Sequence, residues 1–523
     1  MIKHYILVND MGTTGNKAAL LDETLEVVAS VSKTYETYYP KPNWSTQKIS
    51  EVYKVVISCT KEVIEQSGID PKTIAVVSFS NQMMTMVPVD RDGQVLMDEV
   101  GIWCDMRQHE QADRLMKQLG GNDEYYKITG VGWAPDLAPI CKIMWYKDHA
   151  KDIYDSTYKF LQYKEIVAYR MTGIMATEYG DMSMNGMMNC AKKRLSESIF
   201  KAANVDPSKI PEIRNSDEII GHVTMAAARE FGIPEGTPVT LGSGDVICAN
   251  LGAGITQKGV GYTCIGSANW SAVFSDTPSL NPRYKMNCNT MQPTGGYNLV
   301  MITAAGGIAQ DWFKKGFYSS EKGTKSVDEY EAELYKRMTE DTKSISPGAE
   351  GLLFYPYIRG GGAPHFDINA RGSFIGLDIS HTRSHMLRAI YEGVCLNMRW
   401  LYDLYEELGF TIYGLDTIRA IGGGVLNDLW MQIYADVNDM AFSRLNSPQQ
   451  STALGAAMIG GVGIGLWDSY GAATAKIGID KTFYPNKEIT PIYKDLYAIF
   501  RETYDNIYSF YAKRNQFIEK YTH

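Results

Sequence analysis

The amino-acid sequence predicts an α/β protein built from two large domains. Three observations lead there. The chain has 523 residues, 45% of them hydrophobic, which is more than one core can organise. Compact β-branched runs alternate with apolar residues at helical spacing from the N-terminus onward. A strand, a tight polar turn and a second strand open the chain, and the same device returns about 250 residues later. Two lobes of this kind imply a cleft between them.

The opening segment, His4-Tyr-Ile-Leu-Val-Asn-Asp10-Met-Gly-Thr-Thr-Gly-Asn-Lys17-Ala-Ala-Leu-Leu-Asp22, reads as two short strands joined by a turn rich in glycine and threonine. Residues 51–67 carry apolar side chains at helical steps, and 74–79 form a strand-like run. Pro238-Val-Thr-Leu241 is a further strand that runs into Gly242-Ser-Gly-Asp245, and strands surround Tyr262-Thr-Cys-Ile-Gly-Ser267. These readings put the boundary near residue 247, giving domains 1–247 and 248–523. Helices are predicted over 386–408 and 426–437, with Gly422-Gly-Gly424 between them following the apolar run 417–421. The stretch 493–513 repeats aromatic and aliphatic residues at three- and four-residue steps, which predicts an amphipathic helix on the second domain.

Composition narrows the partners. A formal net charge of -9 argues against a surface that neutralises nucleic-acid phosphates or anionic lipid, so neither partner is expected. The eight cysteines are scattered and form no C-x-x-C pair, which indicates reduced thiols rather than a zinc knuckle or a disulfide framework. The N-terminal apolar run stops at Asn9 and Asp10, too early for a signal peptide, and the stretch 455–467 contains five glycines in 13 residues and cannot span a bilayer. A cytoplasmic protein with a small-molecule ligand is the expectation. A homodimer is the default for a cytoplasmic enzyme of this size.

The chemistry concentrates in turns. There is no G-x-x-x-x-G-K-[ST] and no G-x-G-x-x-G, so a P-loop or dinucleotide fold lacks its main support. In Asp10-Met-Gly-Thr13-Thr14-Gly-Asn-Lys17 a carboxylate at a strand end could hold Mg²⁺ through water, the threonines could donate to phosphate and Lys17 could neutralise charge. Alone, the segment reads as readily as a polar turn with a solvated lysine. Asp245, following Gly-Ser-Gly, could accept a proton from a substrate hydroxyl, or be a turn aspartate bonded to its own backbone. Trp103 could stack on the C–H face of a sugar while Asp105 and Arg107 take hydroxyls, or be a core tryptophan beside an ion pair. The methionines 182, 184, 187 and 188 read as adaptable core filler.

Several motifs fall in one order. Asp10 to Lys17 resembles the first phosphate motif of the FGGY family of carbohydrate kinases, D-x-G-T-x-x-x-[KR]. Ile102-Trp103-Cys-Asp105-Met-Arg107 resembles its W-x-D-x-R segment, Lys142-Ile-Met-Trp145 its K-x-x-W element, and Gly242-Ser-Gly-Asp245 the stretch with the catalytic aspartate. Arg371-Gly-Ser-Phe-Ile-Gly376, followed by His385-Met-Leu-Arg-Ala-Ile-Tyr-Glu392-Gly393, is similar to the family's most specific signature. Gly422-Gly-Gly-Val-Leu-Asn427 and Ala453-Leu-Gly455 resemble its adenosine-site and closing segments, and Trp44 and Gln47 the G-W-x-E-Q element of xylulokinase-like members.

The resemblance implies two ribonuclease-H-like domains of the actin and sugar-kinase ATPase type, with ATP and a small sugar or polyol meeting in the cleft. It implies Asp245 as catalytic base, Asp10 as a ligand of Mg²⁺ through water, and Thr13, Thr14, Lys17, Gly266 and Ser267 toward the phosphates of ATP. Gly307, Gly423, Gly424 and Asn427 would line the adenosine pocket; Gln82, Met83, Trp103, Asp105, Arg107 and Asp245 would bind the substrate. A ketopentose such as xylulose is the leading acceptor, with erythritol, ribulose, gluconate and deoxy sugars as alternatives, and a non-kinase actin-like ATPase or a sugar sensor as the competing classes.

Departures from the family pattern cluster near the substrate. Xylulokinases read S-G-Q-M-H-G where this chain has Ser80-Asn-Gln82-Met83-Met84-Thr85, so Met84 stands in place of histidine. Val246 replaces the asparagine or glutamine that usually follows the catalytic aspartate. Two positions that often bond sugar hydroxyls are therefore apolar, and a less hydroxylated ligand would suit them. Gly360, Gly361 and Gly362 stand where the family often has a charged pair, and they receive no role.

Overall fold

A computed structural model describes residues 4–291, 294–303, 306–318, 326–367 and 369–521. The chain divides into two units. The first comprises Met1–Lys258, Phe274–Val300 and Gln450–Gly478; the second comprises Gly259–Val273, Met301–Gln449 and Ile479–His523. The position near 247 read from the sequence falls inside a helix, Asp245–Gly252, so the first unit runs on past it and later takes back two segments.

In the first unit, β1 (Tyr5–Met11), β2 (Gly15–Asp22) and β3 (Val27–Thr34) form an antiparallel meander. Helix α1 (Ile49–Ser67) follows, ended by Gly68 in the left-handed conformation that lets its N–H reach a helical carbonyl. Strand β4 (Ile74–Asn81) then pairs parallel with β1. Further on come α2 (Tyr163–Thr172), β5 (Ile219–His222), β6 (Pro238–Thr240) and α3 (Asp245–Gly252). The sheet order is β5-β6-β4-β1-β2-β3, with the two-residue strand Ser243–Gly244 added beside β4. Strand β1 is apolar on both faces because both are covered. Leu7 packs with Val52, Val56 and Val63 of α1, whereas Ile6 and Val8 pack with Leu251 of α3.

The second unit repeats this plan. Strands β7 (Gly261–Ile265) and β8 (Asn269–Ser275) form the antiparallel hairpin. After α4 (Gly307–Phe317) and the long α5 (Arg383–Glu407), β9 (Ile418–Ile421) pairs parallel with β7. Helix α6 (Asp428–Asn438) leads to β10 (Phe442–Leu445), parallel to β9. Helix α7 (Ser451–Gly463) belongs to the first unit; β11 (Ile479–Phe483) closes the second sheet antiparallel to β10, and α8 (Thr490–Tyr521) ends the chain. The succession β8-β7-β9-β10-β11 thus matches β2-β1-β4-β6-β5, strand for strand and direction for direction. The repeated strand-turn-strand device of the sequence is the first hairpin of each sheet.

The stretch around 385–393 turns out to be framework. Arg388 Nε lies 2.6 Å from Glu392 Oε1 with both side chains buried, and Tyr493 Oη of α8 donates to the same oxygen at 2.7 Å. Among the described residues, no helix is long and apolar enough to cross a membrane.

Candidate active site

Two carboxylates sit at one edge of the first unit's sheet, at the ends of strands that flank β4. Asp10 lies at the end of β1, opposite Lys17 of β2 and Ser80 of β4. Ser243 and Gly244 pair with Ser80 and Asn81, so Asp245 leaves the sheet at the same edge and opens α3. Asp245 Oδ1 accepts the Val246 N–H at 2.8 Å. Its partial burial, and then the negative charge of Asp10, push its pKa up to about 7. Asp10 Oδ2 accepts a hydrogen bond from Thr452 Oγ1 at 2.6 Å. Thr452 arrives on α7 from 442 residues away; in the sequence its one signal is its place directly before Ala453-Leu-Gly455. It can reach Asp10 because α7 packs backbone to backbone on α3. A Cβ at Gly455 would fall 1.8 Å from Cys248 O, and one at Gly252 would fall 1.9 Å from Ser451 O.

The β1–β2 turn carries Thr13, partly buried, and Thr14, exposed, and is braced by Tyr35 Oη donating to Gly12 O. A hydrogen-bonded chain joins this turn to the loops after β4 and around residue 103. Gln82 Nε2 donates to Gln47 Oε1 at 2.8 Å, Gln47 Nε2 donates to Thr13 O at 2.7 Å, and Trp103 Nε1 donates to Thr13 Oγ1 at 3.0 Å. Trp103 is 38% exposed, so its ring face is available.

Asp105 and Arg107 differ from the expectation that they take hydroxyls. Asp105 is fully buried; its oxygens receive Arg107 Nε at 2.8 Å, Arg107 Nη2 at 2.7 Å and Ser45 N at 2.8 Å. The Arg107 guanidinium lies 3.5 Å over the Trp44 ring and 5.1 Å from that of Trp145. A bidentate pair so enclosed fixes the loop that presents Trp103. Gln82 and Met83 are likewise buried, and Gln82 Nε2 is already donated to Gln47.

Behind Gly244 and Asp245 lies a buried charge cluster that the sequence did not signal. Lys164 Nζ is 2.5 Å from Asp181, 3.3 Å from Glu178 and 4.0 Å from Glu165, all wholly buried. Glu178 also accepts from Ser243 Oγ at 3.0 Å and Ser216 Oγ at 2.7 Å. Burial drives the Asp181 carboxyl well above the ordinary range despite the lysine. Lys142, buried beneath the loops that carry Met84 and Trp103, donates to Met84 O at 2.9 Å and to Ile102 O; burial lowers its pKa to about 7.

The second unit holds a cavity of about 670 Å³ lined by Gly266, Ser267, Gly307, Gly423, Gly424 and Asn427, and also by Gln310, Tyr335, Lys336 and Gln449. It brings together all six residues assigned to the adenosine and second phosphate sites. The Gly266–Ser267 turn is tied to the start of α4 by Gly307 N to Gly266 O at 2.7 Å and Ile308 N to Ser267 O at 3.1 Å. Asn427 caps α6, its Oδ1 accepting from Leu429 N and Trp430 N. Tyr335 and Lys336 come from helix Val327–Lys343, where no motif pointed to them.

This arrangement matches a known family. The N-terminal domain of the FGGY family of carbohydrate kinases matches residues 5–252, and the C-terminal domain matches 263–464. The chain belongs to the FGGY family of carbohydrate kinases. It is accordingly a phosphotransferase acting on an alcohol group. Among FGGY relatives, a xylulose kinase of Bacillus subtilis (strain 168) is 29% identical over 501 residues, covering 96% of each chain. A gluconokinase of the same organism is 30% identical over 506 residues, covering 95% of this chain and 94% of the relative. A glycerol kinase of Myxococcus xanthus is 28% identical over 494 residues, 92% and 95% of the two chains. The solved ligand-bound xylulose kinase of Lactobacillus acidophilus shares the fold with a TM-score of 0.86 at 24% identity, covering 98% of this chain and 99% of that one.

Proposed function

We propose that this FGGY kinase phosphorylates a ketopentose such as xylulose, with ATP as donor and Asp245 as general base. The observation that carries the reading is Asp245 at the shared strand edge beside Asp10, with a pKa of about 7. A base near the operating pH is ionised often enough to accept a hydroxyl proton and basic enough to hold it. Trp103 offers a ring face to the sugar, while the Asp105–Arg107 pair and the Gln82–Gln47–Thr13 chain hold that face and the phosphate turn in register.

Lys17, Thr13 and Thr14 are assigned to the transferred phosphate, and the glycine-lined cavity of the second unit to the adenosine, for which about 670 Å³ is ample. Among the described residues there is no cage of three or more metal-ligating side chains, and Asp10 stands with one oxygen engaged by Thr452. This suits Mg²⁺, which binds through one or two carboxylates and otherwise through water and phosphate oxygens. When bound with ATP, Mg²⁺ neutralises charge on the phosphates.

A second reading, gluconate as acceptor, is favoured by the 30% identical gluconokinase. The test is coupled ADP release with Mg·ATP against D-xylulose, D-ribulose, gluconate, erythritol and glycerol. Strongest stimulation by a ketopentose is expected. Stimulation by gluconate alone would replace the acceptor, and equal ADP release with and without every sugar would overturn the reading.

A further inference from the structure

Val246, next to Asp245 in the chain, belongs to an apolar wall with one polar group in it. Met83, Met84 and Met184 are buried together, and Trp133, Leu137 and Val246, each partly exposed, pack against them. Val246 is the residue next to Asp245, so an acceptor whose hydroxyl meets that carboxylate lies alongside this wall. The Met182 to Met188 cluster therefore splits: Met182, Met187 and Met188 serve the core, whereas Met184 joins the wall.

Met84 is held there deliberately. Its φ is +71°, in the left-handed region that few residues other than glycine adopt, and two buried side chains enforce it. Its N–H donates to Gln162 Oε1 at 3.0 Å, and its carbonyl accepts from Lys142 Nζ at 2.9 Å. With both backbone groups engaged, what this residue offers its surroundings is a thioether side chain, polarizable and adaptable to a C–H surface.

The polar group is Trp133 Nε1, which is buried and has no hydrogen-bond partner in the protein. A buried N–H without an acceptor is costly, and a ligand oxygen would remove the cost. None of the other five side chains of the wall can hydrogen-bond through N–H or O–H.

We propose that the acceptor of this kinase has the frame of a ketopentose with one carbon left unhydroxylated, a deoxy position that meets Met84, Val246 and Met184, and presents one oxygen to Trp133 Nε1. The proposal rests on Asp245 facing the acceptor hydroxyl. It deepens the reading of a small-sugar kinase by naming the part of the sugar that is left unhydroxylated. Discrimination by such a wall is asymmetric: it gains nothing from a hydroxyl aimed at it, whereas a site that bonds the hydroxyl rejects the deoxy analogue by about 10⁴-fold or more.

The experiment measures kcat/KM for the best acceptor among D-xylulose, D-ribulose, gluconate and erythritol, and for each of its single-deoxy analogues. One analogue that keeps the phosphorylated hydroxyl is expected to match or exceed the parent. In Met84→His and Val246→Asn, each assayed separately, the ratio of that analogue to the parent is expected to fall by about tenfold or more. Trp133→Phe is expected to raise KM for the sugar severalfold with kcat retained. Loss of 100-fold or more with every deoxy analogue overturns the wall's role while leaving the kinase reading intact. Unchanged analogue-to-parent ratios in both the Met84→His and Val246→Asn variants also overturn it. Absence of phosphoryl transfer to every sugar overturns the kinase reading and the proposal together.

Discussion

The first hairpin turn of each unit follows the same strand plan yet offers different chemistry. The β1–β2 turn brings side chains: Asp10, Thr13, Thr14 and Lys17, with Asp245 across β4 at the same edge of the sheet. The β7–β8 turn contributes Gly266 and Ser267 and opens on a cavity floored by Gly307, Gly423 and Gly424. One copy of the fold supplies charge, the other shape. A charged side chain can be exchanged with little change of form, whereas an atom added at Gly424 would fall 2.3 Å from Ile265 Cγ2, so the two regions should fail differently.

Five measurements would sharpen or break that contrast. Asp245→Asn is expected to lower kcat by 10² to 10⁴ while leaving nucleotide affinity unchanged, as read by steady-state kinetics and calorimetry; a parallel loss of nucleotide affinity would break the division. Lys164→Met strands three buried carboxylates, and chemical denaturation should show a loss of about 3–5 kcal/mol. A Cβ at Gly424 would fall 2.3 Å from Ile265 Cγ2, so Gly424→Val should raise KM for ATP by tenfold or more with KM for sugar unchanged. Because the raised pKa keeps Asp245 protonated in acid, kcat/KM for sugar should fall about tenfold per unit below about pH 7, with nucleotide affinity flat across the same range. The smallest effect is expected of Thr452→Val, which removes the hydroxyl donated to Asp10 and should cost a few-fold in kcat/KM.

Much of this was legible in the sequence. Alternating strand and helix signals gave the α/β class, and the spacing of Asp10, Asp245 and Gly422 to Asn427 placed turns at the ends of apolar runs, where they are found. What stayed hidden depends on distant segments meeting. Thr452 bonds a residue 442 positions earlier, and Lys164, Glu178 and Asp181 look like ordinary surface charges until α2 and the helix Tyr179–Met184 bury them together. Trp133, in a loop with no motif, gains meaning only from the methionines around it. Asp105 and Arg107 show the opposite limit: the pattern locates the pair, but only the fold shows that their polar atoms face each other.

The return of α7 to the first unit sets a timetable for biogenesis. Ile6, Val8 and Leu251 share their core with Leu454 and Ile459, so in the N-terminal sheet emerging from the ribosome the face that carries Ile6 and Val8 is only partly covered, by α3. The missing helix lies some 200 residues downstream of Lys258, a delay of about ten seconds or more at ordinary elongation rates. During that interval the nascent sheet exposes apolar surface, and truncation ahead of residue 450 should give an aggregating product rather than a smaller folded one.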